Sequence, residues 1–331
     1  MRIVFIGTPG LAARALAGLY EAGYELPLIL TQPDRPKGRG NKEALSAVKA
    51  YATGKGLTVY QPSRLSEPET IQRIRQAAPD AIVVAAYGKI LPAALLEAAP
   101  LGCLNIHASL LPAYRGAAPI QWALLNGEKE TGVTIMKIDE GVDTGPILLQ
   151  KRLPVPEDMD HGGLYELLSD AGASLLLEAL PLWAGGRLTP REQSAEGLSY
   201  AARLERAHEA IDWTQPAEAI RNRIRAFSPS PGASAHIGDK EIKILRAKAL
   251  PDEEAAIMLA KSSVETWRSS APDRPAPGLI IGAVRQAGPV VAAGEGSLLL
   301  TLVQPAGRKP MDGWAWLNGS RLAAGETFGA N

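Results

Sequence analysis

Short, continuously apolar, β-branched runs recur along the first half of the chain, each followed by a turn and a helical stretch. Residues 2–6 (RIVFI) are the first such run. A run of this kind fits a strand buried on both faces, because a half-exposed strand would alternate apolar with polar side chains. Gly7-Thr8-Pro9-Gly10 makes the turn, and Leu11 to Ala22 reads as a helix with Leu11, Ala15, Leu16 and Leu19 on one face. Further strands fit 26–31, 81–86 and 103–107, with a helix over 66–78. Strands alternating with helices predict an α/β class chain with a doubly wound, mostly parallel sheet. The first turn has neither the G-x-G-x-x-G spacing nor a following Gly-Lys-Ser/Thr, so it reads as a strand-to-helix connection and not a phosphate loop.

Functional groups of such sheets gather where strands end. The strand 103–107 ends on polar residues, and its period of two puts Asn105 and His107 on one face. Two more strands, 132–138 and 147–153, flank an acidic, glycine-rich loop, Asp139 to Gly145, that carries Asp143. An amide, an imidazole and a carboxylate suit acyl transfer to an amine. The amide can donate to a carbonyl oxygen that becomes an oxyanion. The imidazole can move a proton near neutral pH. The carboxylate can orient the imidazole and favour its charged form. Asn105, His107 and Asp143 are therefore the expected catalytic residues. Ser109 has no G-x-S-x-G elbow around it, so the attacking group is expected to be the substrate's own amine. His161, His208 and His236 stand in polar contexts and read as surface residues. No spacing of His, Asp and Glu resembles a metal site, and no metal is expected.

After a helix at 162–180 comes a polar, glycine-rich stretch, 184–203, without hydrophobic period. A short helix at 216–227 precedes strands at 233–237, 241–250, 278–286, 289–293 and 297–303, which suggest a small β-barrel. The charged, Pro-rich segment 251–277 reads as a long loop inside it. A chain of 331 residues accommodates two domains. Its formal net charge of zero argues against a globally basic nucleic-acid binder but leaves room for a local patch. Cys103 is the one cysteine, so no intrachain disulfide can form, and it reads as a small buried thiol. MRIVFIG reads as a strand and not a signal peptide, and no segment is expected to reach the ~20 apolar residues of a membrane span. A cytoplasmic protein without membrane contact is the expectation.

Several segments resemble the methionyl-tRNA formyltransferase family. They are IVFIGTP (3–9), TQPDRPKGRG (31–40), AYGKILP (86–92), LNIHASLLPAYRGAAPIQWA (104–123), ETGVTIMKIDEGVDTG (130–145), AIDW (210–213), IRAFSPSPGA (224–233) and VQPAGRKPM (303–311). The resemblance implies an N-terminal formyltransferase fold over 1–183, a linker over 184–205, and an OB-like, tRNA-binding barrel over 206–331. It implies transfer of a formyl group from 10-formyltetrahydrofolate to the α-amine of methionyl-initiator tRNA, by a monomer. It gives Asn105 the carbonyl oxygen, His107 the proton of the amine, and Asp143 the support of the histidine. Folate-binding residues are implied at Ser109, Leu110, Leu111 and Pro112, with Tyr87, Gly88 and Ile90 in the pterin wall. A tRNA-acceptor loop is implied at 32–43, where Arg35, Lys37, Arg39 and Lys42 face only Asp34 and Glu43 in charge. The chain departs from the family pattern at Gly10, over 41–47, in FSPSPG (227–232) and near 205–211, none of which touches the three catalytic candidates. Two other readings stay open at this point: a small-molecule formyltransferase or formyltetrahydrofolate hydrolase of the same superfamily, and a catalytically silent RNA binder.

Overall fold

The structure, a computed structural model, describes residues 1–37, 42–262, 274–320 and 322–329. In chain order the elements of the first half are β1 (Arg2–Gly7), α1 (Gly10–Glu21), β2 (Glu25–Leu30), β3 (Arg35–Lys37), β4 (Lys42–Ala44), α2 (Ala47–Gly54), β5 (Val59–Tyr60), α3 (Pro68–Gln76), β6 (Ala81–Ala85), α4 (Ala93–Leu96), β7 (Cys103–His107), β8 (Arg115–Gly116), α5 (Pro119–Leu125), β9 (Glu130–Lys137) and β10 (Ile147–Pro154). Those of the second half are α6 (His161–Ala184), β11 (Tyr200–Ala201), α7 (Ala217–Phe227), β12 (Ala233–Ile237), β13 (Lys240–Leu250), α8 (Asp252–Lys261), β14 (Ile280–Val284), β15 (Gly288–Ala292), β16 (Ser297–Pro305), β17 (Met311–Asp312), α9 (Gly313–Ser320) and β18 (Phe328–Gly329).

The chain forms two compact units, the first comprising residues 1–119, 129–155 and 164–203. Its main sheet has the order β10-β9-β7-β6-β1-β2-β5. β5, β2, β1, β6 and β7 run parallel, and β9 and β10 are antiparallel at one edge. The parallel strands are the continuous apolar runs: Ile3, Val4, Phe5 and Ile6 are all fully buried. The chain leaves β1 to one side for β2 and returns to the other for β6, so strand order reverses at the carboxyl ends of β1 and β6. That is where an open α/β sheet makes a crevice. The turn into α1 is close-packed, since a Cβ on Gly7 would stand 2.6 Å from that of Ala12 and 2.9 Å from the Ala85 carbonyl. The Leu11 amide, at the start of α1, donates to the Tyr165 hydroxyl at 2.7 Å. The plain-turn reading of GTPG fits this geometry.

α6 corrects one expectation. It is long and apolar enough to cross a membrane by length and composition, which no segment was expected to be. Half of its apolar window is buried inside the fold, however. Gly172 brings it against the sheet, where an added Cβ would lie 2.8 Å from Ile106, and Trp183 donates its indole N–H to the Leu101 carbonyl at 2.9 Å. This is the core helix of a layered fold. Residues 184–203, expected as a linker, lie within the first unit: β11 pairs with β8, and Arg191 and Ile147 form a bridge. Their lack of hydrophobic period reflects attachment through backbone and polar side chains and not through an apolar face.

The second unit comprises 120–128, 156–163 and 204–331. Its sheet runs β14-β15-β16-β13-β12-β18, with β17 on β16. The bridge between Leu279 and Thr327 joins the two ends, supported by the Ile280 amide on the Glu326 carbonyl and the Phe328 amide on the Gly278 carbonyl, both at 2.8 Å. The sheet is thus drawn round at this point into a small, barrel-like unit. Its core holds Ile242, Ile244, Val291, Leu298, Leu300, Trp316 and Phe328. Segment 251–277, expected as a loop, begins with a helix, α8, whose first turn carries Asp252, Glu253 and Glu254. Acidic residues there favour the positive end of a helix, and Ala255 anchors it beside Leu250, Val290 and Leu299.

Candidate functional site

β7 emerges beside β6 with Asn105 and His107 on one face, while Ile106 between them points to the opposite face, toward α6. β9 runs antiparallel to β7, pairing His107 with Thr134 and Leu104 with Lys137. The loop 138–146 therefore leaves beside the start of β7, and it folds back so that Asp143 reaches the two side chains. Asn105 Nδ2 donates to Asp143 Oδ1 at 3.4 Å, and Asp143 Oδ2 lies 3.6 Å from His107 Nδ1. Oδ2 also accepts the Gly116 amide at 2.9 Å. The three expected catalytic residues are thus brought to one point.

The geometry around His107 fixes its tautomer. Nε2 is 2.9 Å from the Tyr114 carbonyl oxygen, which can only accept, so Nε2 carries the hydrogen. Nδ1 then holds the lone pair on the side facing Asp143. At 3.6 Å the carboxylate faces that nitrogen but is too far for a hydrogen bond to it. Asp143 itself has φ +54°, a left-handed backbone that costs energy for a residue with a Cβ. The loop is held in that shape by Asp139, whose Oδ1 accepts from the Gly141 amide at 3.0 Å and the Thr144 hydroxyl at 2.7 Å.

The run after His107 is anchored from below. Thr134 Oγ1 donates to the Ser109 carbonyl at 2.7 Å and accepts the Leu111 amide at 3.2 Å, and Gln150 Nε2 donates to the Leu111 carbonyl at 2.9 Å. Ser109 is fully buried with its hydroxyl on the Ala113 carbonyl at 2.6 Å, and Leu111 packs with Met136 and Ile147. Leu110 and Pro112 are the half-exposed members. After β6, Tyr87 does not line an open crevice. Its ring is 2% exposed and packs in the core with Leu28, Leu30 and Leu91, and its hydroxyl has no partner among the described residues. Gly88 and Ile90 are open, Ile90 to 75%. Cys103 lies under the site; burial pushes its thiol up to about 12.

Of the basic residues in the 32–43 segment, Arg35 and Lys37 fall on β3 and Lys42 on β4, two strands paired as a hairpin, while Arg39 lies outside the described residues. The hairpin is rooted by Asp34. Its carboxyl is held below the usual carboxylate range, chiefly by its hydrogen bond from Lys49, with Gln61 adding another at 3.1 Å. Among the described residues no group of three His, Cys, Asp or Glu is placed to hold a metal ion.

Arg115 and Gln193 also belong to the site, and no motif in the sequence marks either of them. Gln193 sits in a stretch with no periodicity, so only its contacts mark it. Its amide nitrogen donates to the Asp143 and Gly145 carbonyls at 2.9 and 2.7 Å. Its oxygen accepts Nε and Nη2 of Arg115 at 2.9 and 2.7 Å.

A doubly wound sheet with an amide, an imidazole and a carboxylate at one strand end, and no nucleophile elbow, is the class of a group-transfer enzyme. Residues 1–180 match the family described as Formyl transferase, and 203–321 match Formyl transferase, C-terminal domain. The methionyl-tRNA formyltransferase of Thiobacillus denitrificans is 47% identical over 330 residues, covering 100% of both chains. That of Symbiobacterium thermophilum is 43% identical, covering 99% of this chain and 95% of its own. Among solved structures, the sugar 3N-formyl transferase WlaRD, determined with dTDP and 5-N-formyl-THF, superposes with a TM-score of 0.63 at 17% identity, over 93% of this chain and 99% of its own. HypX from Aquifex aeolicus, in complex with tetrahydrofolic acid, has a TM-score of 0.62 at 18% identity; the match covers 96% of this chain and 47% of HypX. These two similarities speak to the fold. The chain belongs to the formyl transferase family, as one of its methionyl-tRNA formyltransferases.

Proposed function

We propose that this chain transfers the formyl group of 10-formyltetrahydrofolate to the α-amine of methionyl-initiator tRNA, with Asn105, His107 and Asp143 as its catalytic residues. The observation that carries the reading is the convergence of Asn105 and His107 on the Asp143 carboxylate, 3.4 Å from the amide and 3.6 Å from the imidazole. The donor is a substrate that supplies a formyl carbon on a nitrogen leaving group. Two large apolar side chains suit such a flat, aromatic molecule: Ile90 and Val142, 75% and 57% exposed, follow β6 and precede Asp143. Leu110 and Pro112 add half-buried apolar surface.

His107 Nδ1 takes the proton that the amine loses as its nitrogen bonds to the formyl carbon. Asn105 Nδ2 donates to the formyl oxygen while that oxygen holds the electron pair. Asp143 stabilises the imidazolium for as long as it keeps the proton. His107 then returns the proton to the leaving nitrogen as the carbon–nitrogen bond breaks, which yields a formamide and tetrahydrofolate. Arg35, Lys37, Arg39 and Lys42 contribute phosphate contacts to the acceptor end of the tRNA, and the barrel adds further tRNA contacts. The enzyme works as a monomer in the cytoplasm, without a membrane. The test is steady-state formylation of methionyl-initiator tRNA by wild type, N105A and H107A. Each variant should lose at least ~100-fold in turnover with the KM for the donor little changed; near-normal turnover in either removes the role assigned to that residue.

A further inference from the structure

We propose that Gln193 is a positioning residue that sets the Asp143 carboxylate against His107. The inference rests on the catalytic reading of Asp143 given above. It starts from the strain at Asp143: a left-handed φ of +54° in a residue with a Cβ persists only where the surroundings over-determine it. Asp139 shapes the beginning of the loop. Gln193 grips its end, donating one N–H to the Asp143 carbonyl at 2.9 Å and the other to the Gly145 carbonyl at 2.7 Å.

The same amide is tied from its other side. Its oxygen accepts both Arg115 Nε and Arg115 Nη2, and Arg115 directly precedes Gly116, whose amide binds Asp143 Oδ2. Gln193 therefore spans the two segments whose separation decides where the carboxylate sits, one carrying Asp143 and the other carrying its amide donor. Residues around it are fixed to the 113–117 segment by backbone pairing. The Arg115 amide donates to the Ser199 carbonyl at 2.9 Å, and the Tyr114 amide to the Ser199 hydroxyl at 2.9 Å. Tyr114 supplies the carbonyl that orients His107, so both partners of the Asp143–His107 pair are referenced to this one strap.

The chemistry specifies glutamine. Two carbonyls require two donors, and the guanidinium requires an acceptor, so all four hydrogen-bonding positions of the amide are used. Glutamate has the same length and would serve Arg115 at least as well, but it would set an oxygen against two carbonyl oxygens. A residue that merely fills space would tolerate that exchange.

The experiment measures kcat and KM for Q193A, Q193E and D143N, and for Q193A combined with D143N, alongside thermal melts. Outer residues that orient a reacting group typically contribute about 10- to 100-fold. Q193A should lose ~10- to 100-fold in kcat with the donor KM within about twofold, and Q193E should be no better than Q193A. In the D143N background Q193A should cost less than about threefold, because the carboxylate it positions is gone. Should Q193A fail to fold, Q193E in both backgrounds carries the same comparison. Near wild-type kcat in Q193A, rescue by Q193E, or losses that multiply with D143N would each overturn the proposal. A D143N enzyme with full activity would instead overturn the role of Asp143.

Discussion

Replacing Asp143 by asparagine keeps the shape of the side chain and removes its charge. The carboxylate lies 3.6 Å from His107 Nδ1, which gives an attraction to the imidazolium of about 5 kcal/mol at an effective dielectric near 20. Asp143 is partly open to solvent, and only part of the charge has developed at the transition state. About half of that energy, roughly 2.5 kcal/mol, is the expected loss, or ~70-fold in turnover; the full energy would give roughly 5,000-fold. The polar contacts sharpen the expectation. The oxygen of the introduced amide can keep the Gly116 N–H, but its nitrogen then faces Asn105 Nδ2, donor against donor. Part of the loss therefore belongs to Asn105, and a cycle separates the two. In an H107A background D143N should cost less than half as much in free energy as in wild type, because no imidazolium forms there. Single-turnover formylation at saturating donor, for wild type and the three variants, reads both quantities. A D143N enzyme within threefold of wild type, or an equal loss with and without His107, would refute an electrostatic role.

The basic segment 32–43 should act on tRNA alone: R39A should raise the KM for tRNA and leave donor binding intact, and R39K should rescue only partly, since a guanidinium grips phosphate bidentately. Neutralising Arg35, Lys37 and Lys42 as well should flatten the salt dependence of tRNA binding by roughly one log–log unit per lost phosphate contact at most, which formylation at two salt concentrations measures. Gly132→Ala should lower stability by at least ~2 kcal/mol in a denaturant melt, because a Cβ there would collide with the Lys151 carbonyl and stand 2.6 Å from Leu110 Cδ2. The buried Cys103 thiol is raised from 9.0 to about 12, so the folded state holds its proton longer than the unfolded one. Its contribution is present below pH 9 and is lost as pH rises from there toward 12, by at most ~1.4 kcal/mol per unit. Melts at alkaline pH should show C103A declining less steeply than wild type, and native protein should resist thiol reagents at pH 8.

The parallel strands were legible because burial on both faces leaves a continuous apolar run, as in 2–6 and 81–86. Asn105 and His107 were legible because a period of two and a strand end place them together. Asp143 was legible as a loop carboxylate, but its approach to β7 depends on the loop folding back, which no local pattern records. Gln193 was invisible, since a single amide in an aperiodic stretch has no signature until its four partners are seen. Tyr87 entered only through the family resemblance, and nothing in its local sequence signals that its ring turns into the core with Leu28 and Leu91. α8 was hidden by the charge of its first turn, which reads as solvated loop but also suits a helix start. The pairing of β3 with β4 has no signature in the sequence, because three-residue strands carry no periodicity.

The role proposed for the Asn105–His107–Asp143 site is to formylate the α-amine of methionyl-initiator tRNA. Wild-type enzyme and labelled 10-formyltetrahydrofolate are given methionyl-initiator tRNA and a nucleotide-linked amino sugar together in water, and the label is followed to tRNA, sugar or formate. The label should appear on methionyl-initiator tRNA and disappear from it in H107A. Label released as formate, or transferred to the amino sugar while the tRNA stays unformylated, would contradict the account.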